Sequence, residues 1–305
     1  MNEITASPKK ALAKIGLDGD MINALRNIFP LFAELDNKEI KFHFLFLKDE
    51  QDHLSLRLNE GDKAVVQDLF ADLYDIDIQD SWEAYHFNEQ RFGNTKMQFL
   101  VDHFLESSNA ILLRTLQDKL QDYDYGNVLS DAVFFFYHFA NAICKDKRIL
   151  EEFHLMYFEQ WQNYLPKGIG KKEITNSWRE EIGILRSIVE KEAMDPSAAS
   201  EQNYFQQLAK LGRDLKQQLE ILITEKEFTA RDQKYKYPIK IESIEFQQSK
   251  FEILADVMHF FLNAFGIQNE DEALISFLSQ SMFFQDDENV RGKDQPNVTW
   301  SSRGQ

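Results

Sequence analysis

The sequence predicts an α+β fold, predominantly helical, with a small antiparallel sheet near the N-terminus packed against a helical bundle. Three observations carry this. The run KFHFLFLKDEQDHLSLRL (41–58) reads as two strands around a polar loop. From Thr95 to about Phe228 the apolar spacing is almost entirely that of helices. The chain also has 305 residues, 43% of them hydrophobic and 26 of them phenylalanine, enough for a large aromatic core.

Taken in order, residues 1–9 are expected to fray, and PKKALAKIGLDGDMINALRNIFPLFAEL to hold one or two short helices. The hairpin follows at 41–58, with Lys48–Asp52 as its loop. KAVVQDLFADLYD places Val65, Val66, Leu69, Phe70 and Leu73 at helical spacing, and DSWEAYHFNEQRFGN reads as a connecting extended piece ended by the Gly93-Asn94 turn. KMQFLVDHFLESSNAILLRTLQDKL is amphipathic, whereas VLSDAVFFFYHFANAIC is apolar nearly all round and predicts a buried central helix. RILEEFHLMYFEQWQNYL is stopped by PKGIG, and KKEITNSWREEIGILRSIVEKEAM reads as one helix ended by DPSAAS. In YFQQLAKLGRDLKQQLEILI the leucines at 208, 211, 215, 219 and 222 form a stripe too short for a dimerising coiled coil, so it predicts packing within the chain. YKYPIKIESIEFQQ reads as a strand or extended crossover, and Ser249 as the N-cap of KFEILADVMHFFLNAF, closed by Gly266. EDEALISFLSQSMFF is the last helix. One domain over residues 1–284 is expected, with 285–305 a disordered tail.

Composition narrows the function. A net charge of -17, with basic clusters no longer than KDKR and KYK, argues against direct nucleic-acid binding, which needs a basic surface. No apolar run is long enough for a membrane span and no secretory signal opens the chain, so a cytoplasmic protein is expected. The single cysteine, Cys144, sits in an apolar run and reads as a small buried hydrophobe. The seven histidines are scattered, with none paired at helical ligand spacing, so no metal site is expected. Walker, GxGxxG, GxSxG and HExxH motifs are absent, and no cofactor is implied.

Three places carry candidate chemistry. In the hairpin, alternation sets His53, Ser55 and Arg57 along one strand face beside a largely apolar partner strand. Arg57 is therefore expected to be partly buried and to need an anion, either an internal Asp or Glu or a substrate carboxylate. Arg91, in NEQRFGN, reads from composition as a surface residue or as a second anion contact. On the later helix, Asp256, His259 and Asn263 share a stripe that reads either as the helix's solvent side or as an imidazole oriented by a carboxylate, the arrangement a general base requires.

These three segments resemble, in order, motifs of one family. KFHFLFLKDEQDHLSLRL resembles the FFxxRYxDPxxHLRLRL segment that opens the C-terminal elimination domain of class I lanthipeptide dehydratases, also known from thiopeptide-type bacteriocin biosynthesis. WEAYHFNEQRFGN with the helix after it resembles that domain's YxPExxRYGG segment, and VMHFFLNAFGI its HMxxNRLxGI segment. Order and spacing match over about residues 40–280. The chain departs at Phe46, where the family has the Arg of its RY pair, and at Ser55, Asn88 and Ala264, which replace Arg, an acid and Arg.

The resemblance implies a standalone lyase acting on a ribosomally made precursor peptide. Glutamate esterified to Ser or Thr would be eliminated, leaving dehydroalanine or dehydrobutyrine. Arg57 and Arg91 would hold carboxylate or enolate, His259 would move the proton, and His53, Ser55 and Asn263 would contact substrate. The implied partners are the precursor, with its leader and Ser/Thr/Cys-rich core, and a separate tRNA-dependent glutamylation protein. Two alternatives stay open: the related [4+2] cycloaddition that builds pyridine rings, and a non-catalytic precursor-binding subunit.

Overall fold

The computed structural model describes residues 9–16, 21–48, 52–74, 82–84, 89–119, 124–167, 169–194, 204–229 and 245–283. The expected extended stretch at 235–244, the DPSAAS stop and the tail from 285 lie outside the described residues; Glu245–Gln248, the end of that stretch, is helical.

The sheet has four antiparallel strands in the order β2-β3-β1-β4: β1 Lys10–Gly16, β2 Phe42–Lys48, β3 Asp52–Asn59 and β4 Trp82–Ala84. β1 corrects the expectation of helix at this point. KALAK opens this strand with good helix formers, but its alternation puts Ala11, Ala13 and Ile15 on a buried face and pairs it to β3 from Lys10↔Asn59 to Gly16↔His53. Tertiary pairing outweighs local propensity. β3 thereby becomes an inner strand.

Along one sheet face run Phe42, Phe44 and Phe46, then Leu54, Leu56 and Leu58, then Ala11, Ala13 and Ile15. Helix α1, Met21–Asn37, covers it, with Phe32 stacked 4.4 Å from Phe44 and 5.4 Å from Phe42. Helix α2, Lys63–Tyr74, packs on α1, its Tyr74 hydroxyl donating to the Asn27 carbonyl at 2.9 Å. Sheet burial of this kind stabilises each large side chain by about 1.5–3 kcal/mol.

The chain then turns helical: α3 Glu89–Phe92, α4 Thr95–Lys119, α5 Tyr125–Ile143, α6 Lys147–Trp161, α7 Lys171–Ser177, α8 Arg179–Met194, α9 Tyr204–Thr224, α10 Glu245–Ala264 and α11 Asn269–Phe283. Side-chain caps set several starts. Asn94 accepts from the Lys96 and Met97 amides, Asp124 from Gly126, and Asp146 from Arg148 and Ile149. The single helix expected over 171–194 breaks at Trp178, which leaves the helical region at φ -114, ψ 21. Ser249 is not a cap: α10 starts four residues earlier and Ser249 is fully buried within it. Gly266, at φ 93, closes α10 as expected, and the Ile267 amide returns to the Leu262 carbonyl.

α5 is buried almost all round, and α9 lies along it with Leu208, Leu215, Leu219 and Leu222 inside. The leucine stripe is thus packing within the chain. Gly212 permits the approach, since a Cβ there would stand 2.5 Å from the Phe139 ring. α6 and α11 pair at the far side, where buried His154 contacts the Leu150 carbonyl and Ser279. α4 and α10 lie against β2 and close the second sheet face. Among the described residues no helix is long and apolar enough to cross a membrane.

Candidate functional site

The second sheet face is where the hairpin's polar row points. Register places Arg57 between His43 and Leu12, Ser55 between Leu45 and Lys14, and His53 between Leu47 and Gly16. His43, His53 and Ser55 are buried, and the Arg57 side chain is 11% exposed. The row is no solvated edge: it faces the helical bundle, as a guanidinium inside a two-sided sheet must. Its anion is internal. Arg57 donates to Asp102 of α4, which also accepts from Gln98, and Lys10 pairs with Glu106 one helical turn on.

The electrostatics follow from burial. Desolvation raises the Asp102 carboxyl above its ordinary value, and the Arg57 and Lys10 cations oppose the rise. Desolvation drives the His43 imidazole down to about 3, and the Arg57 charge opposite it adds to the fall. His43 is therefore neutral at pH 7. Removing one member of the Arg57–Asp102 pair would leave a lone charge in a dry interface, which costs about 3–5 kcal/mol.

Arg91 is the second cation, and it corrects the lone-surface reading. It clamps Asp256 of α10 through Nε at 3.2 Å and Nη2 at 3.0 Å, a bidentate geometry. Its guanidinium carbon lies 4.4 Å from the centre of the Phe260 ring. Asp256 is thus the carboxylate that pairs with Arg91.

His259 is oriented by a different carboxylate. Its Nδ1 lies 2.5 Å from Oε1 of Glu272 on α11, and the other Glu272 oxygen accepts from the Tyr157 hydroxyl. Glu272 is fully buried, and burial raises Tyr157 well above its ordinary value, so the phenol keeps its proton and donates. Trp161 stacks on the imidazole at 4.4 Å and 29°. With Nδ1–H directed to the carboxylate, Nε2 is left as the basic nitrogen. That tautomer is assigned from the hydrogen bonding.

One ring connects these groups. Phe260 lies 4.4 Å from the Arg91 guanidinium, 5.5 Å from the His259 ring and 6.5 Å from the His43 ring, which itself faces Arg57 across the strands. Arg91 and His259 thus flank one ring at the seam between sheet and bundle, and Arg57 is linked to it through its strand partner His43. His53 and Ser55 lie on the same sheet face, further along β3.

Asn263 has another place. Its Oδ1 accepts from the Phe46 amide and its Nδ2 donates to the Phe46 carbonyl, both at 2.9 Å. Both amide ends are used on the edge strand β2, so Asn263 clasps α10 to the sheet. Phe46 itself, opposite Leu54, turns its ring onto the apolar face, where it meets Phe44 at 5.8 Å. An aromatic there removes nothing from the face that carries Arg57. Asn88 is outside the described residues.

Asp102, Tyr157, Trp161, Phe260 and Glu272 were not singled out from the sequence. Only Phe260, next to His259, carried a local signal. Glu272 and Tyr157 are brought to His259 by helix packing alone. Among the described residues no group of three His, Cys, Asp or Glu side chains is arranged to hold a metal ion.

Comparison with known proteins bears on the whole chain. A comparison with curated protein sequences finds no match. Among solved structures, the chain is similar to the pyridine synthase TbtD from thiomuracin biosynthesis, with a TM-score of 0.53 and 12% identity over 90% of this chain and 96% of that one. It is also similar to the tRNA-dependent lantibiotic dehydratase MibB from Microbispora sp. 107891, with a TM-score of 0.55 and 14% identity. That match covers 94% of this chain but 29% of the dehydratase. At such identities the likeness is one of fold. The family model described as lantibiotic biosynthesis dehydratase C-term matches residues 18–282, and with that match, which takes in three of the four strands and the His259 helix but not β1, the chain belongs to this family.

Proposed function

We propose that this protein eliminates glutamate from glutamylated Ser or Thr residues of a ribosomally made precursor peptide. The observation that carries the reading is His259, held by Glu272 and Trp161 at the seam that also contains Arg91 and Arg57. In the reaction, Nε2 of His259 takes the α-proton. The electron pair passes through the enolate, the Cβ–O bond breaks, and the pair leaves on the carboxylate of glutamate that formed the ester. The products are the dehydroamino acid, glutamate and an imidazolium stabilised by Glu272, which returns its proton to solvent. Arginine donors near the seam would stabilise the enolate and the departing carboxylate. The glutamate ester would come from a separate tRNA-dependent glutamylation protein.

The test is a synthetic peptide carrying one glutamyl-Ser ester. The expected result is free glutamate and a peptide lighter than the unmodified one by one water. An untouched ester at high enzyme concentration would refute the reading. One observation favours the [4+2] cycloaddition as the second reading: Asp102 and Asp256 already balance both guanidiniums, so the site does not call for a third carboxylate. A precursor bearing two dehydroalanines separates the two, since cycloaddition would release its leader segment.

A further inference from the structure

A cavity of about 370 Å³ opens away from the seam, where the end of α5 and the start of α6 meet α9 and α10. Its walls are apolar, supplied by Ile143, Phe153, Met156 and Phe251 with the thiol of Cys144 among them. The volume falls within the range of sites that hold small ligands and exceeds what one water requires. None of the seam residues lines it.

Two polar groups face this apolar space with capacity to spare. Lys250 is a buried cation, its side chain 3% exposed, which donates to Glu220 at 2.7 Å. Glu220 also takes Lys216 at 2.7 Å, so the buried ammonium shares its counter-charge. An ammonium has three donors, and burying one this deeply is costly unless its donors are used. On the opposite chemical side is Glu152, whose Oε2 is buried and has no hydrogen-bond partner among the described residues. Burial also raises that carboxyl above its ordinary value, against the pull of Arg148.

A large apolar volume with one spare acceptor and one spare donor matches a single peptide residue. The side chain would fill the space, the residue's N–H would reach Glu152, and its C=O would reach Lys250. An anionic amphiphile fits poorly, since Lys250 is already paired with Glu220, and Glu152 and Asp146 line the same cavity. A phosphate or nucleic acid fits worse, because the lining carries no net positive excess.

We propose that this cavity anchors one large apolar residue of the peptide substrate, at a site separate from the seam. The identity of that peptide rests on the peptide-modifying reading above; the binding chemistry does not. Lys250 and His259 lie nine residues apart on α10, about 13 Å along its axis, so the two sites are built on one helix without sharing residues.

The test uses N-acetyl amides of Trp, Leu and Ala as probes, with the full chain labelled by ¹³C at its methionine methyls. The Met156 resonance, assigned through Met156→Leu, reports occupancy. The rate of disulfide exchange at Cys144, the only cysteine in the sequence, gives an independent measure. Acetyl-Trp-amide and acetyl-Leu-amide are expected to shift Met156 and slow Cys144, whereas acetyl-Ala-amide does neither. Glu152→Gln, at a partly exposed position, should weaken binding about tenfold, the worth of one hydrogen bond to a charged group. Ile149→Trp at the rim should abolish it.

No Met156 shift with any amide would overturn the proposal. So would an equal response to indole lacking the amide, which would mark a merely apolar void. No reaction is involved in the measurement. A chain that binds the amides but leaves the glutamyl ester untouched would refute the elimination reading alone.

Discussion

Glu272→Gln tests the imidazole–carboxylate arrangement most directly. In the protein both Glu272 oxygens are used, one by His259 Nδ1 and one by the fully buried Tyr157 hydroxyl. Glutamine has the same shape but only one acceptor. Leaving the Tyr157 proton without an acceptor would cost about 1–3 kcal/mol in a dry site. The glutamine carbonyl therefore turns to Tyr157, and its NH₂ faces His259. Nδ1 must then accept, and the ring proton moves to Nε2. On the proposed reading the base becomes a donor, and loss of a positioned general base costs roughly a hundredfold or more in rate. Stability should fall by only about 1–2 kcal/mol, since one hydrogen bond is exchanged and a charge-assisted one lost.

Single-turnover release of glutamate from a glutamyl-Ser peptide measures the rate, and urea unfolding measures the stability. Adding Tyr157→Phe removes the competing donor, lets the amide rotate back to accept from Nδ1–H, and should restore part of kcat. Glu272→Gln within about twofold of the parent rate would refute the assignment. So would an unchanged defect in the double variant. A purely structural role for Glu272 predicts no such rescue.

Acid should act through the buried histidines. Desolvation lowers His43 to about 3 and His154 to about 4, while unfolded imidazoles titrate near 6.5. The unfolded state thus binds the extra protons, and stability is lost as pH falls below 6.5 towards those values. Each fully buried ring contributes about 2 kcal/mol of loss between pH 7 and 5. Asp102, Asp131 and Asp271, raised by burial, act with the opposite sign, so the clean measurement is a difference. Urea midpoints of His43→Gln and the parent at both pH values should show that slope removed, and parallel curves would contradict it. Asn263→Ala strips both partners from the Phe46 backbone and should cost about 1–3 kcal/mol, with faster amide exchange at Phe46. Gly212→Ala drives a Cβ to 2.5 Å from Phe139 and should lower stability by about 1–3 kcal/mol by calorimetry, although alanine is the better helix former.

Much of this molecule was legible in one dimension. Periodicities of two and of 3.6 located the hairpin and most helices, because burial on one face writes itself into spacing. The apolar run around Cys144 became the buried α5, and burial pushes that thiol up to about 12. Arg57 had to be buried and paired, since a guanidinium in a strand covered on both sides has no water to turn to. Which acid it found was not legible: Asp102 comes from a helix 45 residues away.

The failures share that cause. β1 opens with helix formers, and only an empty edge on β3, formed by residues far along the chain, makes it a strand. Asp256 stands one turn from His259 and was the natural local partner, yet Arg91 takes it and Glu272 arrives from α11. Phe46 occupies a motif position that suggested a lost arginine, but strand alternation turns it to the other face. Sequence determined that Arg57 would be buried and therefore needed a partner. Tertiary structure alone decided the partners, because hydrogen bonds and ion pairs depend on distance in space, which packing sets and spacing along the chain does not.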